Sequence, residues 1–335
     1  MKVELKYFNS IRSADGRILS VDMVVIDYKL KSPSALNELG RFLDKLPIRY
    51  AVEITQWHSG KVGRFKENYT ITFQNGNSFW LGVALNGARA DWLRVRLEAN
   101  PNKVMNHATF LETLAFLNQN SRALNTVVRR FDLAVDVPVP REDVILQKDR
   151  RQYSEIRHGS AWTQYLGAKS STVGRVKLYN KQAEAHLSSP LTRLEMTLDP
   201  AETYEKIAWP RVYYITTRQT GLEEAIGGIT DTERFVLNAL LQSCGTVNQL
   251  GRKERAKMER ILAHYTKEIT VSKDEYEKAI AHTQNLLQFE KDGITAAHRE
   301  IDQAPASLPR WVELADAQTP DYDLLEIEAG SGEGS

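Results

Sequence analysis

The sequence predicts an α+β protein: a mainly antiparallel sheet domain followed by helices. Two observations carry this. Up to about residue 200, strand-like stretches and helical stretches mix without the regular strand–helix alternation of a doubly wound fold. From Pro200 onward the composition turns helical. The expected division is 1–204 as a mainly sheet domain, 205–301 as a helical carboxy-terminal domain and 302–335 as an acidic disordered tail. A chain of 335 residues, 42% hydrophobic and 26% charged, is long enough for a real core and is not collagen, a coiled-coil rod or a wholly disordered chain.

Val21 to Tyr28 is rich in β-branched residues and reads as a strand. Ser32 caps a helix whose apolar residues run at helical spacing to Leu43. Tyr69–Phe73 and Ser78–Gly82 flank the turn residues Gln74-Asn75-Gly76-Asn77, a hairpin signal. A second helix runs from Asn106 to Asn118, then a strand from Val127 to Val137 that Pro138 and Pro140 stop. After a short helical stretch, strands are expected at Ser160–Leu166, Val173–Tyr179 and Leu191–Leu198. Helices are expected at Asp231–Gln242, Arg252–Thr266 and Lys273–Glu290, the last of them amphipathic. No internal repeat is evident.

Several classes drop out early. No apolar run approaches the ~20 residues of a membrane span, and Met1-Lys2-Val3-Glu4 lacks a signal-peptide core, so a cytoplasmic protein is expected. The one cysteine, Cys244, excludes an internal disulfide and a cysteine zinc site, and its apolar helical context suits a buried thiol. The net charge of +1 hides an asymmetry. Lys148 to Lys181 holds eight basic residues against two acids, and the stretch from Asp302 to the end holds eight acids against one arginine. A basic middle with an acidic tail is the footprint of a nucleic-acid binder.

Three stretches carry candidate chemistry. In Arg130-Phe131-Asp132-Leu133-Ala134-Val135-Asp136, strand alternation puts Arg130, Asp132 and Asp136 on one face and the apolar residues on the other. An acidic face opposite an apolar one suits a cleft with oxygen ligands for a cation, and equally suits acids facing solvent. In Thr192 to Leu198, Arg193, Glu195 and Thr197 share one face, as a metal-side acid or a structural ion pair. Between them, Trp162 to Ser171 leads to Arg175-Val176-Lys177-Leu178-Tyr179-Asn180-Lys181, placing Tyr165 and Tyr179 among cations. A tyrosine hydroxyl, with a pKa near 10, is a poor nucleophile until cations or a metal assist it.

Taken together, in this order, the stretches Arg130–Asp136, Thr163–Ser171, Arg175–Lys181 and Arg193–Glu195 resemble the trans-acting replication initiation factor (Rep_trans) family, the initiators of many rolling-circle plasmids and related relaxases. The resemblance is firm from about 100 to 200. It implies a diverged rolling-circle nuclease fold and an enzyme that binds an origin and nicks one strand with a tyrosine. The products are a 5′-phosphotyrosyl link and a free 3′-hydroxyl. It implies Tyr179 as nucleophile, with Tyr165 as the alternative. Asp132, Asp136 and Glu195 would face a divalent metal, Mg2+ or Mn2+. Arg193, Lys177 and Lys181 would steady phosphate charge, and Arg130, Lys169 and Arg175 would contact DNA. The implied partners are origin DNA, a superfamily-1 helicase and a second copy of the chain; no membrane is implied. The sequence departs from broader rolling-circle nucleases in lacking a His-hydrophobic-His pair: His158 and His186 stand alone.

Beyond residue 205 the resemblance fades. A helix, a turn with Gly251 and a basic helix carrying Arg252, Lys253 and Lys257 fit a helix-turn-helix-like duplex reader or an ordinary helical hairpin. Three functions therefore stand: an origin nickase, a conjugative relaxase of the same fold, and a non-catalytic DNA-binding protein.

Overall fold

The structure is a computed structural model that describes residues 7, 10–58, 65–84, 93–159, 161–215, 230–241 and 247–289. Its strands and helices run in the order β1 (Ile11–Arg12), β2 (Ile18–Lys29), α1 (Pro33–Tyr50), β3 (Glu53–His58), β4 (Glu67–Thr72), β5 (Ser78–Val83) and β6 (Arg94–Ala99). There follow α2 (Pro101–Val104), α3 (Ala108–Asn120), β7 (Val127–Val137), β8 (Val144–Leu146), β9 (Tyr153–His158), β10 (Ala161–Leu166), β11 (Val176–Asn180), α4 (Lys181–Glu184) and β12 (Thr192–Leu198). Last come β13 (Val212–Ile215), α5 (Asp231–Leu241), α6 (Arg252–Tyr265), β14 (Thr266–Glu268) and α7 (Lys273–Leu287). The protein is α+β, and every strand pairing among the described residues is antiparallel. Cys244 and the acidic tail from Asp302 lie outside the described residues.

Local chemistry explains the element ends. Ser32 accepts a hydrogen bond from the Ala35 amide and Pro33 occupies the first helical turn, so α1 starts where its capping serine predicts. Ser272 and Glu275 form a reciprocal capping box at the start of α7. The hairpin between β4 and β5 turns at Gly76, whose φ of 80° is costly for any side-chain-bearing residue. Among the strands the sequence did not single out are β6, β9 and the pair β13/β14. β6 alternates charged and apolar residues strictly over its six positions, a legible signal, whereas β9 is almost wholly exposed and has little apolar alternation. β13 and β14 are three or four residues long and exist only through pairing, β13 between β8 and β14.

The main sheet has the strand order β3-β4-β5-β6-β2-β7-β12-β11-β10-β9. This is one path traced twice. In the first half β2 lies at the centre and β6, β5, β4 and β3 step outward; in the second, β7 lies beside β2 and β12, β11, β10 and β9 step outward. The registers agree as well. Asp27 lies opposite Arg96, which lies opposite Gly82; Asp136 lies opposite Arg193, which lies opposite Tyr179. The tripeptides Arg96-Leu97-Glu98 and Arg193-Leu194-Glu195 occupy equivalent places on β6 and β12. The repeat escapes the sequence because little beyond these tripeptides is shared, and the connections between the first two strands differ: α1 in one half, β8 and loops in the other.

One face of the sheet is apolar and covered. Behind the first half, α1 and α3 pack together through the stacked rings of Phe42 and Phe116, and Phe110 meets Phe79 edge-on. Behind the second half, Leu133, Val135, Leu178, Leu194 and Met196 form one buried cluster with Tyr276 and Ala279 of α7 and with Val212 of β13. Helix α7 thus packs against β2 and β7, while α5 and α6 pack on each other. The opposite, front face carries the charged side chains.

Candidate active site

Strand alternation and register assemble the front face. On β7 the front residues are Asp132, Ala134 and Asp136; opposite them on β12 stand Thr197, Glu195 and Arg193. The ladder continues through Lys177 and Tyr179 of β11 to Tyr165 and Thr163 of β10. The alternation read from the sequence therefore places these side chains on one face, with the core cluster behind them.

Arg193 is the hub. Its side chain is nearly inaccessible. Its Nε donates to Asp136 Oδ1 at 2.6 Å and one terminal nitrogen to Oδ2 at 2.7 Å; the other donates to Asp22 Oδ1 at 2.9 Å. The hydroxyl of Tyr7 donates to Asp136 Oδ2 as well. Burial works against the guanidinium charge, but the bonds to Asp136 outweigh it and keep Arg193 firmly protonated. All three nitrogens are turned toward carboxylates within the site.

Beside this hub the hydroxyl of Tyr179 donates to Glu195 Oε1 at 2.6 Å. Lys177 stands 3.7 Å from Glu195 Oε2 and its ammonium lies 4.3 Å from the centre of the Tyr179 ring. Burial, first of all, pushes the Glu195 carboxyl up to about 7; Lys177 pulls it down and the charge of Asp22 adds to the rise. Burial, then the charge of Glu195, raises the Tyr179 hydroxyl well above its ordinary range. Tyr179 is 5% exposed. The Tyr179 hydroxyl and the Glu195 carboxyl thus form a buried, directly hydrogen-bonded pair whose carboxyl is pushed toward neutrality.

The remaining expected residues divide. Asp132 lies on the same face; burial raises its carboxyl and Asp22 adds to that, against the pull of Thr197 and Arg130. Lys181 is buried, bonded to Glu184 of its own short helix, with its ammonium 5.8 Å from the Tyr179 ring. Tyr165 lies opposite Lys177, on the front face rather than with Trp162 and Leu166, and the guanidinium of Arg175 sits 4.9 Å from its ring. Lys169 is exposed in the loop between β10 and β11. Arg130 is half-buried on β7. Arg252, Lys253 and Lys257 are exposed on α6, and Lys257 pairs with Glu233 of α5. The turn expected between these helices includes a short helical turn at Val247–Gln249; residues 242–246 lie outside the description.

The fit of a divalent cation differs from acid to acid. Asp136 is committed to Arg193 and Tyr7. Asp132 Oδ1 is buried without a hydrogen-bond partner, and Asp132 and Glu195 are both pushed toward their neutral forms by burial and by the charge of Asp22. A cation among Asp132, Glu195 and Asp22 would reverse that strain. Among the described residues, no three His, Cys, Asp or Glu side chains stand ready around one point. As placed, these residues do not gather a three-acid cation site: Asp136 and Asp22 are both bonded to Arg193, and Asp132, with its unpartnered Oδ1, is the acid most open to a cation.

The sequence reading missed Asp22, Tyr7 and Asn100, which donates to Asp22 at 3.1 Å. Asp22 sits where the pairing of β2 with β7 slips between Val21 and Met23, a β-bulge that turns it toward Arg193. A bulge leaves no mark on alternation. Burial opposes the Asp22 charge, yet Arg193 and then Lys181 hold its carboxyl below the usual range.

No protein-family model matches the chain, and no curated protein matches it. Among solved structures, a rolling circle replication initiator protein from Geobacillus stearothermophilus overlaps 82% of this chain and 98% of its own, at 14% identity and a TM-score of 0.35. An overlap so loose carries no residue and no role from one chain to the other. Among the described residues, no helix is long and apolar enough to cross a membrane.

Proposed function

We propose that this protein nicks one strand of DNA through Tyr179, as a rolling-circle replication initiator does. The observation that carries the reading is the 2.6 Å hydrogen bond from the Tyr179 hydroxyl to a Glu195 carboxyl that titrates at about 7. Glu195 takes the hydroxyl proton as the tyrosine oxygen attacks phosphorus; the P–O bond to the 3′-oxygen breaks and that oxygen leaves as a hydroxyl after protonation. The result is a 5′-phosphotyrosyl link. Lys177 offsets charge that gathers on the phosphate. Arg193 positions Asp22 and Asp136 and contacts no phosphate. A magnesium or manganese ion drawn to Asp132, whose Oδ1 has no hydrogen-bond partner, would polarise the phosphate and leave the Glu195 carboxylate to take the hydroxyl proton. The exposed cations of α6 would meet duplex outside the nick, which suits an origin or a transfer origin alike.

The test is a labelled pool of single-stranded DNA incubated with the protein and Mg2+ or Mn2+, then run on a denaturing gel. A covalent adduct that Tyr179→Phe abolishes supports the reading. An adduct lost in Tyr165→Phe and kept in Tyr179→Phe moves the nucleophile to Tyr165. Undiminished adduct in EDTA removes the metal. The second reading, a DNA-binding protein without chemistry, is favoured by the burial of Tyr179, and DNA binding with no adduct under any condition would establish it.

A further inference from the structure

The first half of the sheet repeats the strand path of the second but carries different chemistry on the same front face. Gly82 stands in the place of Tyr179 and Trp80 in that of Lys177. A Cβ at Gly82 would lie 2.3 Å from the Trp80 ring and 2.8 Å from Phe65, so two aromatic rings fill the space of the second half's nucleophile. Asp27 is bonded to Arg96 at 2.7 and 3.1 Å and to Arg129 at 2.9 Å. With Arg94 and Arg130 on the same face, the arginines outnumber Asp27 and Glu98 two to one. At the outer end, Trp57 lies on the front of β3, 44% exposed, in register with Asn68 and Gly82.

We infer that this front face is a second, non-catalytic site for single-stranded DNA, with Trp57 stacking a base and Arg129 meeting a phosphate. The identity of the ligand as DNA rests on the function proposed above. The arrangement itself argues for a single strand. An exposed indole offers a stacking surface that paired bases cannot use, and arginines along the same face match the spacing-tolerant charge of a strand. Both half-sites lie on one face of one sheet. Asp27 lies opposite Val127, nine positions along β7 from Asp136, so roughly 30 Å of strand separates the two ion-pair hubs. Crossing that distance takes roughly nine nucleotides at a stacked rise of about 3.4 Å. The first half would hold the strand on one side of the nick while the second performs the chemistry.

Fluorescence anisotropy of labelled dT20 with the full chain tests this. Trp57→Ala is expected to weaken binding roughly 5- to 150-fold, the usual range for one stacked base, and Trp57→Phe to restore most of it. Arg129→Ala is expected to lower the slope of log affinity against log salt by about 0.7, one phosphate's worth on a single strand; Asp27 keeps Arg96, so the fold survives. Binding by both alanine variants indistinguishable from wild type would overturn the proposal, as would a blunt 20-base-pair duplex competing as well as dT20 while Trp57→Ala leaves both affinities equal. The adduct assay separates the two ideas. Adduct formation with no effect of Trp57→Ala sinks the second site alone, and a strong effect of Trp57→Ala without any adduct sinks the nicking chemistry alone.

Discussion

The two halves of the sheet share a path, a register and an Arg-Leu-Glu tripeptide, and they differ in the sign of what surrounds the shared ion pair. In the second half one arginine, Arg193, is held by Asp136 and Asp22, with Glu195 4.0 Å away. In the first half one carboxylate, Asp27, is held by two arginines, Arg96 and Arg129. The extra member of each cluster comes from the far central strand at a slip in pairing. Asp22 of β2 reaches into the second half, and Arg129 of β7, passed over between Arg130 and Val128 in the register with β2, reaches into the first. Two bulges between the same pair of strands thus make one half acid-rich and the other cationic. The lesson is that a bidentate Arg–Asp pair is the scaffold common to both halves, and the charge gathered around it is decided by which residue each bulge adds.

The largest expected effect tests whether chemistry belongs to the second half alone. Tyr179→Phe should reduce covalent adduct to background, while Trp80→Phe in the first half should leave adduct yield within about twofold, since no charge or nucleophile is removed there. Equal loss in both would break the distinction between the halves.

Stability should also divide. Arg193→Ala strands Asp136 and Asp22, and the buried pair suggests a loss of about 3–5 kcal/mol in urea unfolding. Arg96→Ala leaves Asp27 with Arg129, so roughly half that loss is expected. Equal losses would mean that Arg129 does not compensate.

The third effect depends on pH. Glu195 titrates at about 7 in the folded protein against an ordinary value near 4.5. The folded state therefore binds the proton more tightly than the unfolded state, and folding stability falls as pH rises from about 4.5 to about 7. The shift corresponds to about 3 kcal/mol, all of it felt above pH 7. Glu195→Gln should therefore remove this pH dependence of unfolding, and it should also remove the rise in nicking rate through pH 7.

Smaller again is Gly82→Ala, whose added methyl meets Trp80 and Phe65; overpacking of this kind costs about 1–3 kcal/mol, read as a lowered melting temperature. The smallest effect on stability is expected from replacing Arg252, Lys253 and Lys257 by alanine. It should hardly change unfolding, yet it should flatten the salt slope for duplex DNA by roughly 2–3 units. An unchanged slope would mean that α6 does not meet duplex.

Much of the site was legible in the sequence. The alternation of Arg130 to Asp136 and of Arg193 to Thr197 assigned faces correctly, because side-chain direction on a regular strand follows from position alone. Helix starts fell within about two residues of expectation, since caps such as Ser32 and Ser272 are local chemistry, whereas α1 runs on past Leu43 and through Pro47 to Tyr50. What the sequence could not supply was which strands become neighbours. That pairing set Arg193 against Asp136, turned Tyr179 toward Glu195 across β11 and β12, and revealed the repeat. Asp22 and Arg129 were out of reach for the same reason. A bulge exists only relative to a partner strand, and the burial that lifts Glu195 toward neutrality is a property of the assembled face, not of any stretch of chain.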